Sequence, residues 1–168
     1  MSWFTDALEV VAGIATWTGS RRLIRLTDKR RSEGFDYLLR YYLFRTPWGS
    51  VFLHRFLAPD IDRFHDHPWN WCSIMLAGGY TERMLDGTGR NVWPGQITFR
   101  AAETFHMVTD VEPDGGTWTL FLHGKRRRIW GELVDGKWVA IGGKYGNRLK
   151  GWGFFPQWDK GLPGEHDD

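Results

Sequence analysis

About ten short segments of β-branched, aromatic and leucine residues follow one another along this chain, separated by glycine, proline and aspartate. This spacing predicts an all-β fold of many short strands rather than alternating strands and helices. Turn sequences at 46–49, 86–89 and 135–136 each lie between two segments and predict hairpins. The predicted strands are Leu23–Leu26, Tyr37–Arg45, Val51–Leu57, Trp71–Ala77, Gly79–Leu85, Arg90–Trp93, Gln96–Arg100, Phe105–Val111, Thr117–His123, Arg128–Val134 and Lys137–Ile141.

The first residues, Ser2–Trp17, have the pattern of an amphipathic helix. Apolar residues recur there at three- and four-residue steps, at Phe4, Leu8, Val11 and Ala15. Such a helix is expected to pack across the sheet of its own domain, and a possible homodimer through it stays open as an alternative. The sequence therefore predicts an N-terminal helix over 1–18, a β-barrel over 19–145 and an irregular tail rich in tryptophan and glycine over 146–168.

The composition is that of an ordinary globular domain. The chain has 168 residues, of which 42% are hydrophobic and 25% charged, and this length suits one domain. A net charge of +2 gives no reason to expect a nucleic-acid partner. No apolar stretch approaches the roughly 20 residues that span a bilayer, so no membrane partner is expected. The single cysteine, Cys72, excludes an internal disulfide and predicts a cytoplasmic location.

Two histidines stand two positions apart just before the predicted strand Trp71–Ala77. Because side chains of an extended segment alternate, His65 and His67 point the same way and can converge as two metal ligands must. Asp66 points to the opposite face and is expected to form a structural hydrogen bond rather than to bind the metal. With His106 in a later predicted strand, the sequence predicts one metal ion held by three histidines inside a small barrel.

The two histidine segments resemble the two sequence motifs of the cupins, a family of small jelly-roll barrels. The matching positions are the pair His65-Asp66-His67, Gly78 or Gly79, Gly95, His106 and Asp110. The second motif keeps its spacing, although Ala101-Ala102-Glu103 replaces its Pro-x-Gly. The resemblance implies an all-β, single-domain cupin jelly-roll barrel preceded by the helix. The chain is also similar to a group of small cupin-like proteins marked by His-Asp-His-Pro-Trp, here His65 to Trp69, a likeness that implies no particular activity.

One ligand of many cupins is missing, since the glutamate of the first motif falls on Trp71 or Cys72. The chain thus resembles the three-histidine cupins, of which the thiol dioxygenases are the best-known enzymes. The resemblance implies a divalent metal. Fe(II) is preferred, because three imidazoles leave three octahedral positions open to substrate and dioxygen, and Zn2+ suits the same ligands. Without a carboxylate ligand the metal keeps its full charge and favours anionic ligands.

These inferences predict a small-molecule oxygenase that acts on an anionic or polar substrate. Guanidinium groups match carboxylate and phosphate, so arginines near the barrel mouth are expected to bind the substrate. The predicted substrate-binding residues are Arg63, Arg126, Arg128 and Tyr80. Glu103, three residues before His106, is the predicted catalytic residue, either as an acid or base or as a carboxylate that orients a ligand imidazole.

Two other functions stay open at the level of sequence. The chain suits a non-catalytic binding or assembly module with a structural or absent metal, or a metal-assisted isomerase or lyase. An apolar contact through Trp3, Phe4 and Leu8 with a blocked barrel mouth would favour the module. An open pocket above the histidines, lined for instance by His54 or His123, would favour an enzyme.

Overall fold

The computed structural model describes residues 3–26, 35–60 and 63–140. The predicted tail over 146–168 lies outside these described residues. One helix, α1 (Trp3–Trp17), precedes the strands. The strands are β1 (Arg21–Leu26), β2 (Phe35–Thr46), β3 (Gly49–Phe56), β4 (Trp71–Ala77), β5 (Tyr80–Met84), β6 (Gly89–Val92), β7 (Ile97–Arg100), β8 (His106–Thr109), β9 (Thr117–His123), β10 (Gly131–Val134) and β11 (Lys137–Ala140).

The strands form two facing antiparallel sheets and a separate hairpin. One sheet has the order β1-β2-β3-β9-β4-β7, the other has the order β6-β5-β8, and β10 pairs with β11. The three predicted hairpins are present as the pairs β2–β3, β5–β6 and β10–β11. The predicted all-β class, with a cupin barrel behind an N-terminal helix, is confirmed. Among the described residues, no helix has the length and apolar character that crossing a bilayer requires.

Helix α1 covers the outer face of the six-stranded sheet. Its buried side chains are Leu8, Ala12 and Ala15, which pack in one cluster with Tyr41, Leu53 and Trp118. Glu9 adds an ion pair to Arg55 of β3 at 3.0 Å. The helix therefore packs on the sheet of its own domain, as predicted.

The space between the sheets has an aliphatic part and an aromatic part. Strand alternation turns Trp71, Ser73 and Met75 of β4 inward, where all three are buried. Met75 joins an apolar cluster drawn from both sheets, which also holds Leu38, Phe56, Tyr80, Val92 and Val108. Trp71 joins a second cluster with Phe52 and Phe121. This aromatic cluster forms the floor on which the histidines lie.

A buried carboxylate ties the two sheets together. Glu82 of β5 is 0% exposed and accepts hydrogen bonds from Arg90 of β6 at 2.8 Å and from Arg100 of β7 at 2.6 Å. A terminal nitrogen of Arg90 donates to Thr98 of β7. Burial alone raises the pKa of Glu82, but the nearby His106 ring, the hydrogen bond from Arg90 and the charge of Arg100 outweigh it and lower the pKa to about 2.

The depressed pKa of Glu82 makes the stability of the fold pH-dependent. Since the folded value of about 2 lies below the ordinary value of 4.5, the carboxylate stabilises the folded state above pH 4.5. This contribution is lost as the pH falls from 4.5 toward 2. We expect Glu82→Gln to flatten the fall in unfolding free energy over this window, measured by urea denaturation at a series of pH values. Glu103→Gln, at an exposed position, is the control. Identical pH profiles for wild type and Glu82→Gln would contradict the assignment.

Candidate metal centre

A reciprocal backbone bridge sets two of the histidines side by side. The N–H of His65 donates to the carbonyl of His106 at 3.0 Å, and the N–H of His106 donates to the carbonyl of His65 at 3.0 Å. His67 is anchored by a bond from its N–H to the carbonyl of Ala102, also 3.0 Å long. Because His65 and His67 alternate with Asp66 in extended backbone, both of their rings turn toward His106.

The three imidazole rings meet at one point. Their centroids are 4.7 Å apart for His65 and His106, 5.1 Å for His67 and His106, and 5.2 Å for His65 and His67. One nitrogen of each ring lies within 4.8 Å of the other two, and the Nε2 atoms of His67 and His106 are 2.8 Å apart. Nitrogens that share a tetrahedral ion with ~2.1 Å bonds are about 3.4 Å apart, so small side-chain adjustments fit this cluster to a metal.

Carboxylates stand behind two of the three rings. Glu82 Oε1 is 3.2 Å from Nδ1 of His106, at an angle too bent for a regular hydrogen bond. Asp60 Oδ2 is 3.7 Å from Nδ1 of His65 and accepts the Val108 N–H at 2.6 Å. A negative oxygen beside Nδ1 favours the tautomer that carries its proton there, which leaves the Nε2 lone pair for a cation. This is the arrangement that metal-binding histidines commonly have.

The surroundings favour the uncharged form of the His65 and His67 rings. Burial, followed by the repulsion of His106 and His65, holds the pKa of His67 well below 6.5. Burial also lowers the pKa of His65, although Asp60 acts in the opposite direction. Neutral imidazole is the form that binds metal, so these rings need not lose a proton at neutral pH before an ion can enter.

Aromatic side chains surround the cluster. The Trp71 ring lies 5.3 Å from that of His67 and 5.1 Å from that of His106, and Phe121 stacks on Trp71 at 5.3 Å. Trp130 lies 6.4 Å from His67. The cupin motif places a glutamate ligand near Trp71, and the potential metal-binding group that the described residues form consists of three histidines alone. An apolar wall therefore stands where many cupins have a carboxylate.

Asp66 has the structural role predicted for it. Its side chain is 0% exposed and accepts the Gly131 N–H at 2.6 Å and the Trp138 indole N–H at 3.0 Å. Arg128 completes its partners at 3.0 Å. The residue between the two ligands thus fixes the histidine loop to β10 and β11.

The predicted substrate-binding arginines each have a partner within the chain. Arg63 pairs with Glu132 at 2.6 Å, and Arg128 pairs with Asp66. Arg126 is half-buried and donates to the carbonyl of Arg128 at 3.2 Å. No carboxylate partner of Arg126 is found among the described residues. Of the three arginines, it is therefore the one whose charge is not paired with a described carboxylate. Their roles toward a substrate stay predictions.

Tyr80 and Glu103 lie apart from the ring cluster. Tyr80 is buried in the aliphatic part of the core, and burial, with the nearby charge of Glu82, raises its pKa to about 12. It also lines a cavity of about 190 Å3 with Thr81, Asn91 and Trp93. Glu103 is exposed on the turn before His106, and the carboxylate that faces His106 is that of Glu82 instead. The catalytic role of Glu103 stays a prediction.

Sequence reasoning assigned no role to Asp60, Arg40 or Glu82. Glu82 lies two residues from Tyr80 and two from Met84, so the three share one face of β5. This period of two was the available signal that Glu82 faces inward. Arg40 is likewise a lone charge between Leu38 and Tyr42 on the inward side of β2. Asp60 follows a proline in a loop and carries no such signal.

Comparison with known proteins identifies the fold. No protein-family description matches the sequence, and no curated protein matches it. The solved DMSP lyase DddQ from Ruegeria pomeroyi aligns with a TM-score of 0.52 and 16% identity over 84% of this chain and 70% of its own. The polyketide cyclase RemF from Streptomyces resistomycificus aligns with a TM-score of 0.49 and 17% identity over 58% and 71% of the two chains. KdgF from Halomonas sp. aligns with a TM-score of 0.46 and 20% identity over 54% and 82%.

These likenesses bear on the fold and not on the reaction, because every identity is low and only the DddQ alignment has a TM-score above 0.5. DddQ is a cupin. The chain has the cupin fold, and its three clustered histidines fit a cupin metal site.

Proposed function

We propose that this protein is a metal-dependent enzyme that acts on a small anionic or polar molecule, with oxygenase chemistry and Fe(II) as the preferred metal. The observation that carries the proposal is the convergence of three histidine nitrogens within 4.8 Å of one another. Three imidazole nitrogens that face one another, with Nε2 of His67 and Nε2 of His106 only 2.8 Å apart, suit a cation that they share.

His65, His67 and His106 would hold the metal. When bound, the metal supplies a Lewis acid, and iron adds the one-electron chemistry with dioxygen that side chains lack. Three neutral ligands compensate none of its charge. This charge balance supports an anionic substrate.

The remaining residues of the site orient and shield the ligands. Asp60 and Glu82 keep a proton on Nδ1 of His65 and His106, and Asp66 holds the loop that carries His65 and His67. Trp71 and Phe121 exclude water from one side of the rings. Exclusion of water strengthens every electrostatic interaction at the site.

The residues predicted from sequence keep their places in the proposal. Arg63, Arg126, Arg128 and Tyr80 are candidate substrate contacts, and Glu103 is a candidate acid or base. Arg126 is the best placed of the arginines, since its described partner is a carbonyl rather than a carboxylate.

The metal and the reaction each have an alternative. Zn2+ suits the same ligands, and an isomerase or lyase needs no dioxygen. DddQ is by name a lyase and shares the fold, so elimination is to be tested beside oxygenation.

The first prediction concerns metal content. Wild-type protein purified without added metal is expected to carry about one ion per chain, measured by plasma mass spectrometry. His67→Ala and His106→Ala are expected to carry only traces, because each removes one of three ligands. His123→Ala, which changes a histidine outside the cluster, is the matched control and should keep the metal.

The Fe(II)-loaded protein is then tested in an oxygen electrode against small carboxylic acids and thiols, with His67→Ala as the blank. Uptake that depends on both substrate and His67 supports the oxygenase. A protein that holds iron but consumes no oxygen with any of them contradicts this reaction class. Product formed without oxygen would favour the isomerase or lyase.

A second prediction concerns the carboxylate behind His65. Asp60→Asn replaces the carboxylate with an uncharged amide of the same shape. We expect metal affinity to fall about 10- to 100-fold. Competition with a chromophoric chelator measures the change. Glu103→Gln in the same assay separates the two candidate orienting carboxylates. An unchanged affinity in Asp60→Asn would remove Asp60 from the site.

A non-catalytic assembly module is the second candidate, and one observation favours it. The outer side of α1 leaves large apolar residues in solvent, namely Trp3 at 80%, Val10 at 62%, Ile14 at 59% and Trp17 at 88% exposure. Patches of this kind on a protein surface commonly mark contacts with other proteins, and a homodimer would cover this one.

This candidate predicts a mass in solution that depends on α1. Light scattering is expected to give a dimer for wild type and a monomer for the double variant Ile14→Glu, Trp17→Glu. Leu85→Glu, at a residue 53% exposed elsewhere, is the control. A monomeric wild type over the tested concentrations rules out this surface as a homodimer contact.

A further inference from the structure

An arginine and a histidine form a pair inside the barrel that the proposed function does not use. Arg40 of β2 and His54 of β3 are direct partners in the antiparallel register. Nε of Arg40 donates to Nε2 of His54 at 2.9 Å. His54 is 4% exposed. Because both side chains lie on the inward side of their strands, the pair faces the space between the sheets.

The pair lies beside the histidine cluster, separated from it by one aromatic ring. The His54 ring stacks on Phe121 at 5.0 Å, and Phe121 is 6.1 Å from the His67 ring. The Arg40 guanidinium lies over Phe52 at 4.6 Å from its centroid. After burial, which is the largest cause, the charge of Arg40 contributes to the lowered pKa of His54, His67 and His123. The guanidinium is therefore within electrostatic reach of all three rings.

Arg40 differs from the other arginines of the interior in its partners. Arg63, Arg90, Arg100 and Arg128 each pair with a carboxylate. Among the described residues, the hydrogen-bond partner of the Arg40 side chain is a neutral imidazole, and Tyr42 is a further polar neighbour. Burial lowers the pKa of Arg40 to about 10, so it stays charged at neutral pH. Arg40 is half-buried, so water solvates its charge only in part, and a bound anion would complete its partners.

We propose that Arg40, positioned by His54, binds the carboxylate of the small-molecule substrate beside the three-histidine cluster. The proposal rests on the proposed function, whose substrate class it names. His54 occupies Nε of Arg40 and Tyr42 is a further hydrogen-bonding neighbour, which leaves terminal N–H groups of the guanidinium to donate to a ligand. A carboxylate matches the single charge and planar shape of the guanidinium. A phosphate dianion would carry a second charge into walls formed by Phe52 and Phe121, where the described residues offer no further cation.

His54 acts as a positioning residue in this arrangement. Burial and the charge of Arg40 hold its pKa well below 6.5, so it is neutral at physiological pH. Neutral imidazole accepts the Arg40 proton at Nε2 and adds no repulsion to the subsite. Stacking on Phe121 fixes the plane of the ring, and the hydrogen bond transfers that orientation to the guanidinium.

The test titrates acetate into metal-free and Zn2+-loaded protein, with acetamide as the neutral analogue of the same shape and inorganic phosphate as the competing anion. Nitrogen-15 spectra follow the indole N–H of Trp71, which every variant retains. We expect saturable binding of acetate by both forms, none of acetamide, and weaker binding of phosphate. Arg40→Met should lower acetate affinity about tenfold or more.

Control variants separate binding from folding. Arg83→Met, at an exposed arginine of β5, should bind acetate as wild type does. Arg40→Lys keeps the charge but loses the paired N–H donors of the guanidinium, so it should also bind acetate more weakly. This variant replaces Arg40→Met in the test if Arg40→Met does not fold. His54→Gln retains an acceptor and should keep most of the affinity, whereas His54→Ala should lose it.

Two outcomes overturn the subsite, namely no acetate binding by either wild-type form, or equal binding by wild type and both Arg40 variants. Tighter binding of phosphate than of acetate overturns the carboxylate assignment. The failure of the metal proposal is distinguishable from these results. A wild type that binds acetate through Arg40 but takes up no metal contradicts the proposed function and leaves the anion subsite standing.

Discussion

The backbone bridge between His65 and His106 is the contact on which the rest of the site depends. It joins the segment ahead of β4 to the start of β8, two parts of the chain far apart in sequence, and orients both imidazoles toward one point. Once this bridge forms, the side chain of His67 points the same way as that of His65, because side chains alternate in extended backbone. The carboxylates of Asp60 and Glu82 then meet the rings from behind, because their own strands and loops pack against the same bridge.

Charge inside the barrel is almost entirely balanced, and the exception is informative. Asp66 and Glu82 are both 0% exposed, and each is surrounded by donors, including one or two arginines. Such pairs stabilise little relative to apolar residues of equal size, but they fix geometry, because breaking one leaves an uncompensated charge. Among the described interior arginines, Arg40 has an imidazole rather than a carboxylate as its hydrogen-bond partner. The positive charge of Arg40 is therefore not neutralised by a described carboxylate, whereas the charge of Glu82 is neutralised by Arg90 and Arg100.

Local patterns in the sequence were sufficient for the strands and for the shared direction of His65 and His67, whereas the third ligand, His106, was supported by the resemblance to the second cupin motif. Each predicted strand appears within a few residues of its expected limits, because turn residues and alternation are short-range signals. The pairing partners of Arg63 and Arg128 were not predictable, since Glu132 and Asp66 reach them only through the tertiary fold. The carboxylate behind His106 is Glu82 rather than nearby Glu103 for the same reason: β5 pairs with β8, which places Glu82 on the same face of the sheet, two residues from the Met84 position opposite His106.

The two hydrogen bonds that Asp66 accepts from Gly131 and Trp138 couple the histidine loop to the last hairpin. Gly131 and Trp138 lie in β10 and β11, and both hold the carboxylate that stands between the ligands. A methyl group added at Gly131 would collide with the Trp138 indole, because the two residues are in close contact. A tilt of the hairpin would therefore move the loop that carries His65 and His67. The distances between the three rings would then change with the position of the hairpin.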